Sequence, residues 1–146
     1  MRIVMKINIL REPFSHIIID NLYSQEEYQI IWNELMYLKP FMGDSSKTQA
    51  ARTNDRKFSK KEGLGIFLHD FFVNPHEYSK IFQMTRKIFS PEMLTLTSSI
   101  DYYFKLFQYV RYDAVLLQSY GNGDYYRNHE DACTFSSVTL LHKEPK

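Results

Sequence analysis

His129-Glu-Asp131 sets an imidazole and a carboxylate two positions apart, and His142-Lys-Glu144 repeats the arrangement. On an extended strand, residues i and i+2 project from the same face, so either pair could present both donors to one cation. Such pairs are common on solvated strands that bind nothing, and only the surroundings separate the two. Ahead of His129 runs Tyr120-Gly-Asn-Gly-Asp-Tyr-Tyr-Arg-Asn-His-Glu-Asp131, which fits the pattern YxxGxxYxxHxD through Tyr120, Gly123, Tyr126, His129 and Asp131. No such frame surrounds His142. The glycines permit a sharp bend from one strand into the next, and that bend is expected to place the Tyr120 ring beside the face that carries His129 and Asp131.

One imidazole and one carboxylate make two thirds of a facial triad, the ligand set typical of non-haem Fe(II) oxygenases, which leaves coordination positions open for a chelating cosubstrate and dioxygen. The segment resembles the Fe(II)- and 2-oxoglutarate-dependent dioxygenases, specifically their prolyl 4-hydroxylase-like branch, in which YxxGxxYxxHxD lies on the first strands of a double-stranded β-helix. Phe14-Ser-His-Ile-Ile-Ile-Asp-Asn-Leu-Tyr-Ser-Gln-Glu-Glu-Tyr28 is more loosely similar to the strand and first helix that support such barrels. The likeness touches most of the chain and is specific over residues 120–131. It implies that His129 and Asp131 ligate Fe(II), that Tyr120 lies near the 2-oxoglutarate, and that Tyr126 shapes the pocket or packs beneath it. It also implies a reaction in which 2-oxoglutarate and dioxygen give succinate and carbon dioxide while the substrate gains a hydroxyl, with ascorbate as a further accessory. The protein's own share would be to orient the substrate and exclude water. The polar stretch from Lys39 to Glu62 reads as a long loop, either disordered or a lid, and as a lid it is the candidate substrate cover.

Family members continue past a segment like Val138-Thr-Leu-Leu-His-Lys-Glu-Pro145 into a glycine-rich turn and further strands. Those strands supply a second histidine ligand and an Arg or Lys for the far carboxylate of 2-oxoglutarate, and neither position exists in these 146 residues. The expectation is therefore an N-terminal portion of a longer protein, catalytically deficient as it stands. His142, eleven positions beyond Asp131, is read as a surface histidine among Lys143, Glu144 and Lys146 rather than as the missing ligand. Cys133 is read as a small buried residue, Arg127 as an exposed sheet arginine, and His16, His69 and His76 as structural or solvent-facing side chains without partners. The alternative from another class is a noncatalytic interaction or structural domain with a degenerate oxygenase barrel. A zinc hydrolase using His129, Asp131 and His142 is chemically conceivable, because zinc accepts the same donors, but nothing upstream recommends it.

These residues need a scaffold, and the composition limits its kind. A chain of 146 residues is one domain. With 44% hydrophobic, 16% aromatic and 24% charged residues it is too apolar for disorder and too interrupted for a membrane protein. Eighteen Lys and Arg against seventeen Asp and Glu give a net charge of +1 and no field to hold a polyanion, so a peptide or small-molecule substrate is expected rather than nucleic acid. One cysteine and no secretion signal point to a reducing cytoplasm.

Met1–Leu10 and His16–Ile19 read as short strands. Ser24-Gln-Glu-Glu27 has the form of a capping box, opening a helix whose Tyr28, Ile31, Trp32, Leu35 and Leu38 make an apolar stripe that Pro40 ends. Trp32 lies within the stripe and reads as packing. After the Lys39–Glu62 loop, helical spacing is predicted for Leu64, Phe67, Leu68, Phe71 and Phe72. It is predicted again from Tyr78 to Phe89, ended by Ser90-Pro91, and for a third helix from Met93 to Phe107. Beyond Arg111 the pattern becomes extended: Ala114–Gln118, a Gly121-Asn-Gly-Asp124 turn, Tyr125–His129 and Phe135–Leu141, all expected in antiparallel sheet. The expected architecture is α+β, a single domain over 1–146. Residues 1–109 form mainly helical support with short N-terminal strands, and 110–146 form the first strands of an incomplete double-stranded β-helix, a jelly-roll barrel carrying the HxD motif.

Overall fold

The computed structural model of the chain describes residues 5–45, 62–100, 102–127 and 133–141. The fold is α+β, with short helices packed against small antiparallel sheets. Strands β1 (Lys6–Leu10) and β2 (His16–Asp20) pair antiparallel, with Ile7 opposite Ile19 and Ile9 opposite Ile17. Their β-branched residues suit a pleated surface. Asn21 then turns the chain through a left-handed conformation at φ 58°, which asparagine tolerates better than most residues.

Helix α1 (Gln25–Leu38) starts as its sequence dictates. The Ser24 hydroxyl accepts the Glu27 N–H at 3.2 Å while the Ser24 N–H donates to the Glu27 carboxylate at 2.8 Å, a complete capping box. Its inward stripe buries Ile31 and Leu38 and half-buries Tyr28, Trp32 and Leu35, with Trp32 stacked on Tyr28. A 3-10 turn over Lys39–Phe41 follows, and the chain then enters β3 (Gly43–Asp44) instead of a continuous loop. Met42 is buried in the core. The rest of the expected substrate cover, residues 46–61, lies outside the described residues.

The helix expected over Leu64–Phe72 is instead strand β4 (Leu64–Phe67) followed by a single turn, α2 (Leu68–Phe71). A short apolar run fits either period, and Gly63 and Gly65 together with a waiting strand partner decide for the extended form. The second expected helix is likewise divided. Pro75 opens α3 (Pro75–Tyr78), Ser79 is extended, and its buried hydroxyl accepts the Phe82 N–H at 3.0 Å to start α4 (Lys80–Thr85), which tightens into a 3-10 turn over Arg86–Phe89. Ser90-Pro91 both ends that run and opens α5 (Pro91–Ile100), and a separate 3-10 helix spans Tyr103–Tyr109.

β5 (Leu116–Ser119) completes a sheet of order β3-β4-β5, antiparallel throughout. Residues directly opposite one another share a face. Ile66 and Leu117, paired in register, face the helices, whereas Gly43, Gly65, Phe67, Leu116 and Gln118 occupy the other face. The core joins Ile31 and Leu38 of α1, Met42, Leu68, Ile81 and Phe82 of α4, and Leu117 of β5. Each fully covered side chain of this kind contributes roughly 1.5–3 kcal/mol. Where α1 meets α4, one oxygen of the Glu34 carboxylate accepts the Ile81 N–H at 2.7 Å, while the other is buried with no hydrogen-bond partner among the described residues.

The strand expected over Phe135–Leu141 does not form a ladder; the segment is irregular and anchored by side chains. Phe135 packs among Tyr103, Phe104 and Phe107, and the Tyr103 hydroxyl donates to the Thr134 carbonyl at 2.8 Å. Ring insertion has replaced backbone pairing here. Among the described residues the strands make two small sheets and no closed barrel. No helix among them is long and apolar enough to cross a membrane.

Candidate functional site

Tyr120 follows β5 on the strand face that carries Gln118, and its hydroxyl donates to the Gln118 side-chain carbonyl at 2.8 Å. The ring lies over Gly63: a methyl group there would stand 3.3 Å from Tyr120 Cδ1 and 2.8 Å from the Ser119 carbonyl oxygen. Gly63 sits at φ 131°, so both its conformation and its lack of a side chain let the aromatic residue close down on the backbone. Partial burial of Tyr120, which is still 44% exposed, pushes its phenol above the usual 10.0, and the neighbouring Tyr126 and Asp124 add to the rise. At the working pH of most cells Tyr120 is therefore a neutral hydroxyl able to donate a hydrogen bond.

The bend expected after Tyr120 is present. Gly123 takes φ 91°, the Asp124 N–H donates to the Gly121 carbonyl at 3.3 Å, and the Asp124 carboxylate accepts the Gly121 N–H at 2.6 Å. Its consequence differs from the expectation of a turn into a new strand. The Glu62 N–H donates to the Tyr125 carbonyl at 2.9 Å, so after the bend the chain stays beside the segment leading into β4. The four residues from Gly121 to Asp124 are looped out of a pairing that resumes, as in an enlarged bulge. Tyr126 and Arg127 remain exposed, and the Arg127 guanidinium stacks on the Tyr125 ring at 5.2 Å.

His129 and Asp131, the expected metal ligands, lie outside the described residues, as does His142. Of the expected site residues the structure thus places Tyr120 and Tyr126 together and describes the frame that leads into the His129–Asp131 segment. Among the described residues no group of three or more His, Cys, Asp or Glu side chains is arranged to hold a metal ion.

Two minor readings need correcting. Cys133 is exposed rather than buried, with its sulfur 3.1 Å from the Ser136 hydroxyl, because the segment that carries it runs over the surface without a ladder. His69 and His76 are not partnerless: their rings lie 6.4 Å apart, both rest on Phe82, and His76 Nε2 is 4.0 Å from Asp113, which Arg86 also engages at 2.6 Å. His16 hydrogen-bonds the Phe14 carbonyl and tilts against the Phe14 ring, consistent with a structural part.

The feature that sequence reasoning missed is the outer face of the β3-β4-β5 sheet. Gly43 and Gly65 are paired side by side there, flooring an open groove of about 390 Å³ walled by Phe41, Phe67 and Phe71, with Asp70 at its edge. Assigning Leu64–Phe72 to one helix hid this face. The signal was present in Gly63-Leu-Gly65, since glycine spaced by two in an apolar run marks close approach on one side of a strand.

Comparison of the chain with protein-family models, curated proteins and solved structures found no match.

Proposed function

We propose that this chain carries the HxD half of the iron site of an Fe(II)- and 2-oxoglutarate-dependent dioxygenase of the hydroxylase type. Its β3-β4-β5 sheet would be the beginning of a jelly-roll barrel, and its substrate a peptide or small molecule met in the cytoplasm. The observation that carries the reading is the frame Tyr120, Gly123, Tyr126, His129, Asp131. The surroundings of Tyr120 support it: a neutral phenol held by Gln118 at the end of a strand, followed by a glycine bend. An imidazole and a carboxylate two residues apart are donors that Fe(II) accepts, and the iron with 2-oxoglutarate would supply the oxidising power. His129 and Asp131 would hold the metal, and Tyr120 would orient the cosubstrate through its hydroxyl.

Calorimetric titration of the whole chain with Mn(II), a redox-inert surrogate for Fe(II), tests the reading. Saturable binding is expected, at least ten-fold weaker in His129→Ala/Asp131→Ala. Tyr120→Phe is expected to leave Mn(II) binding intact while weakening subsequent 2-oxoglutarate binding. Wild-type protein that shows no saturable Mn(II) binding, or binding that survives the double substitution, overturns the assignment and favours a noncatalytic interaction domain.

A further inference from the structure

The glycine-floored groove combines three features that no catalytic argument uses. Its walls are aromatic: the Phe41 and Phe71 rings lie 5.0 Å apart at an interplanar angle of 55°, and Tyr37 continues the surface, 5.8 Å from Phe41 and edge-on to Phe71. Over Gly43 its floor is bare backbone, where an added methyl group would meet no described atom within 4 Å, whereas one on Gly65 would stand 3.3 Å from the Leu117 carbonyl oxygen and 3.5 Å from the Ser45 side chain. Its edge carries the Asp70 carboxylate, exposed and, among the described residues, not engaged by any Lys, Arg or His side chain. Phe41 and Tyr37 are 54% and 61% exposed, a large apolar surface for two rings that also contact each other.

We propose that this groove binds an arginine side chain of a partner polypeptide. A guanidinium is planar, weakly hydrated and able to stack on aromatic faces while donating in a fork to a carboxylate, which matches phenylalanine walls closed by one aspartate. Lysine fits less well, because its ammonium is a strongly hydrated point charge. The lack of a side chain at Gly43 lets the methylene stem lie against the sheet there. The rings of Phe41 and Tyr37 extend beyond the groove itself, so residues flanking the arginine meet apolar surface, which favours a polypeptide over a small free guanidine. A volume of about 390 Å³ is within the range of sites that take a small ligand or one large side chain. The inference goes beyond the oxygenase reading and does not require a metal.

The test is a ¹H–¹⁵N chemical-shift titration of the whole chain, without iron or 2-oxoglutarate, using acetyl-Leu-Arg-Leu-amide and the same peptide with citrulline or lysine in place of arginine. The arginine peptide is expected to produce saturable shifts at the Gly43 and Gly65 amides and to bind at least five-fold more tightly than the other two. Asp70→Asn, at an exposed position, should abolish the preference over citrulline. Gly43→Val, whose side chain would meet no described atom at its Cβ and would stand in the groove, should weaken all three peptides. Equal affinity for arginine and citrulline, a lysine peptide that binds as well as arginine, a preference that persists in Asp70→Asn, or shifts confined to other surfaces would each overturn the proposal. Because no metal is present, these outcomes are independent of the Mn(II) titration.

Discussion

Replacing Glu27 probes the joint that fixes α1 to the helical turn after α4. Its carboxylate accepts the Ser24 N–H at 2.8 Å and the Lys87 ammonium at 2.6 Å, and Lys87 also donates to the Leu22 carbonyl at 3.0 Å. The side chains of Glu27 and Lys87 are 24% and 41% exposed, so the ion pair is screened and worth about 0.5–1 kcal/mol. Glu27→Gln retains an acceptor for Ser24 and should cost about that amount. Glu27→Ala also removes the capping bond, worth about 1 kcal/mol, for a total of roughly 1.5–2 kcal/mol. In a chain of this length that corresponds to a fall in Tm of about 4–7 °C. Urea denaturation of Glu27→Gln, Lys87→Met and the double variant should give a coupling of about 0.5–1 kcal/mol, smaller at high salt. The pH dependence has a defined sign. Lys87 first, then the Ser24 N–H, hold the Glu27 carboxyl below its ordinary 4.5. The stabilisation is thus complete above about pH 4.5 and disappears as pH falls through the lowered folded-state value. The gap between wild type and Glu27→Gln should narrow in acid. A coupling below about 0.2 kcal/mol, or a gap that widens on acidification, refutes the reasoning.

Gly63→Ala should cost about 2–4 kcal/mol, because it combines a left-handed backbone with a methyl 2.8 Å from the Ser119 carbonyl, whereas Gly123→Ala, whose methyl would meet no described atom within 4 Å, should cost only about 1–2 kcal/mol. Equal losses in urea denaturation would show that the close approach at Gly63 does not matter. Phe82→Ala should destabilise the chain by about 3–5 kcal/mol, since the ring is wholly covered at the centre of the α1–α4 contact. A loss under about 1 kcal/mol would mean the core is placed elsewhere. Tyr120, read as the ultraviolet titration difference between wild type and Tyr120→Phe, should ionise above pH 10.0, and Tyr126→Phe or Asp124→Asn should move it back toward that value. A wild-type midpoint at or below 10.0 contradicts this account of the Tyr120 surroundings.

The local chemistry of α1 was fully legible: a serine, a glutamate three places on and a periodic stripe leave little freedom, and the structure forms the capping box atom for atom. The two strands β1 and β2, though not their hairpin pairing, and the bend at Gly121–Asp124 were legible for the same reason, since β-branched runs and Asn-Gly act within a few residues. What failed depended on distant partners. Leu64–Phe67 became a strand because β3 and β5 lie beside it, at positions remote in sequence. Phe135 left the sheet pattern because three rings from residues 103–107 make a receptacle for it. Within the candidate site, Tyr120 could be named from its motif, but Gly63 and the groove over Gly43 and Gly65 could not, because each matters only through a neighbour across the sheet, and Gln118, two positions before Tyr120, lies outside the motif.

The β1–β2 hairpin pairs chiefly with itself, and Ile9, Leu10 and Ile18 are left substantially exposed. A two-stranded ribbon of this length is only marginally stable alone and opens without the rest of the molecule. Deuterium from solvent would thus reach the amides of Ile7 and Ile17 long before those of Ile31 or Phe82, giving the protein a soft edge and a hard centre within one short chain.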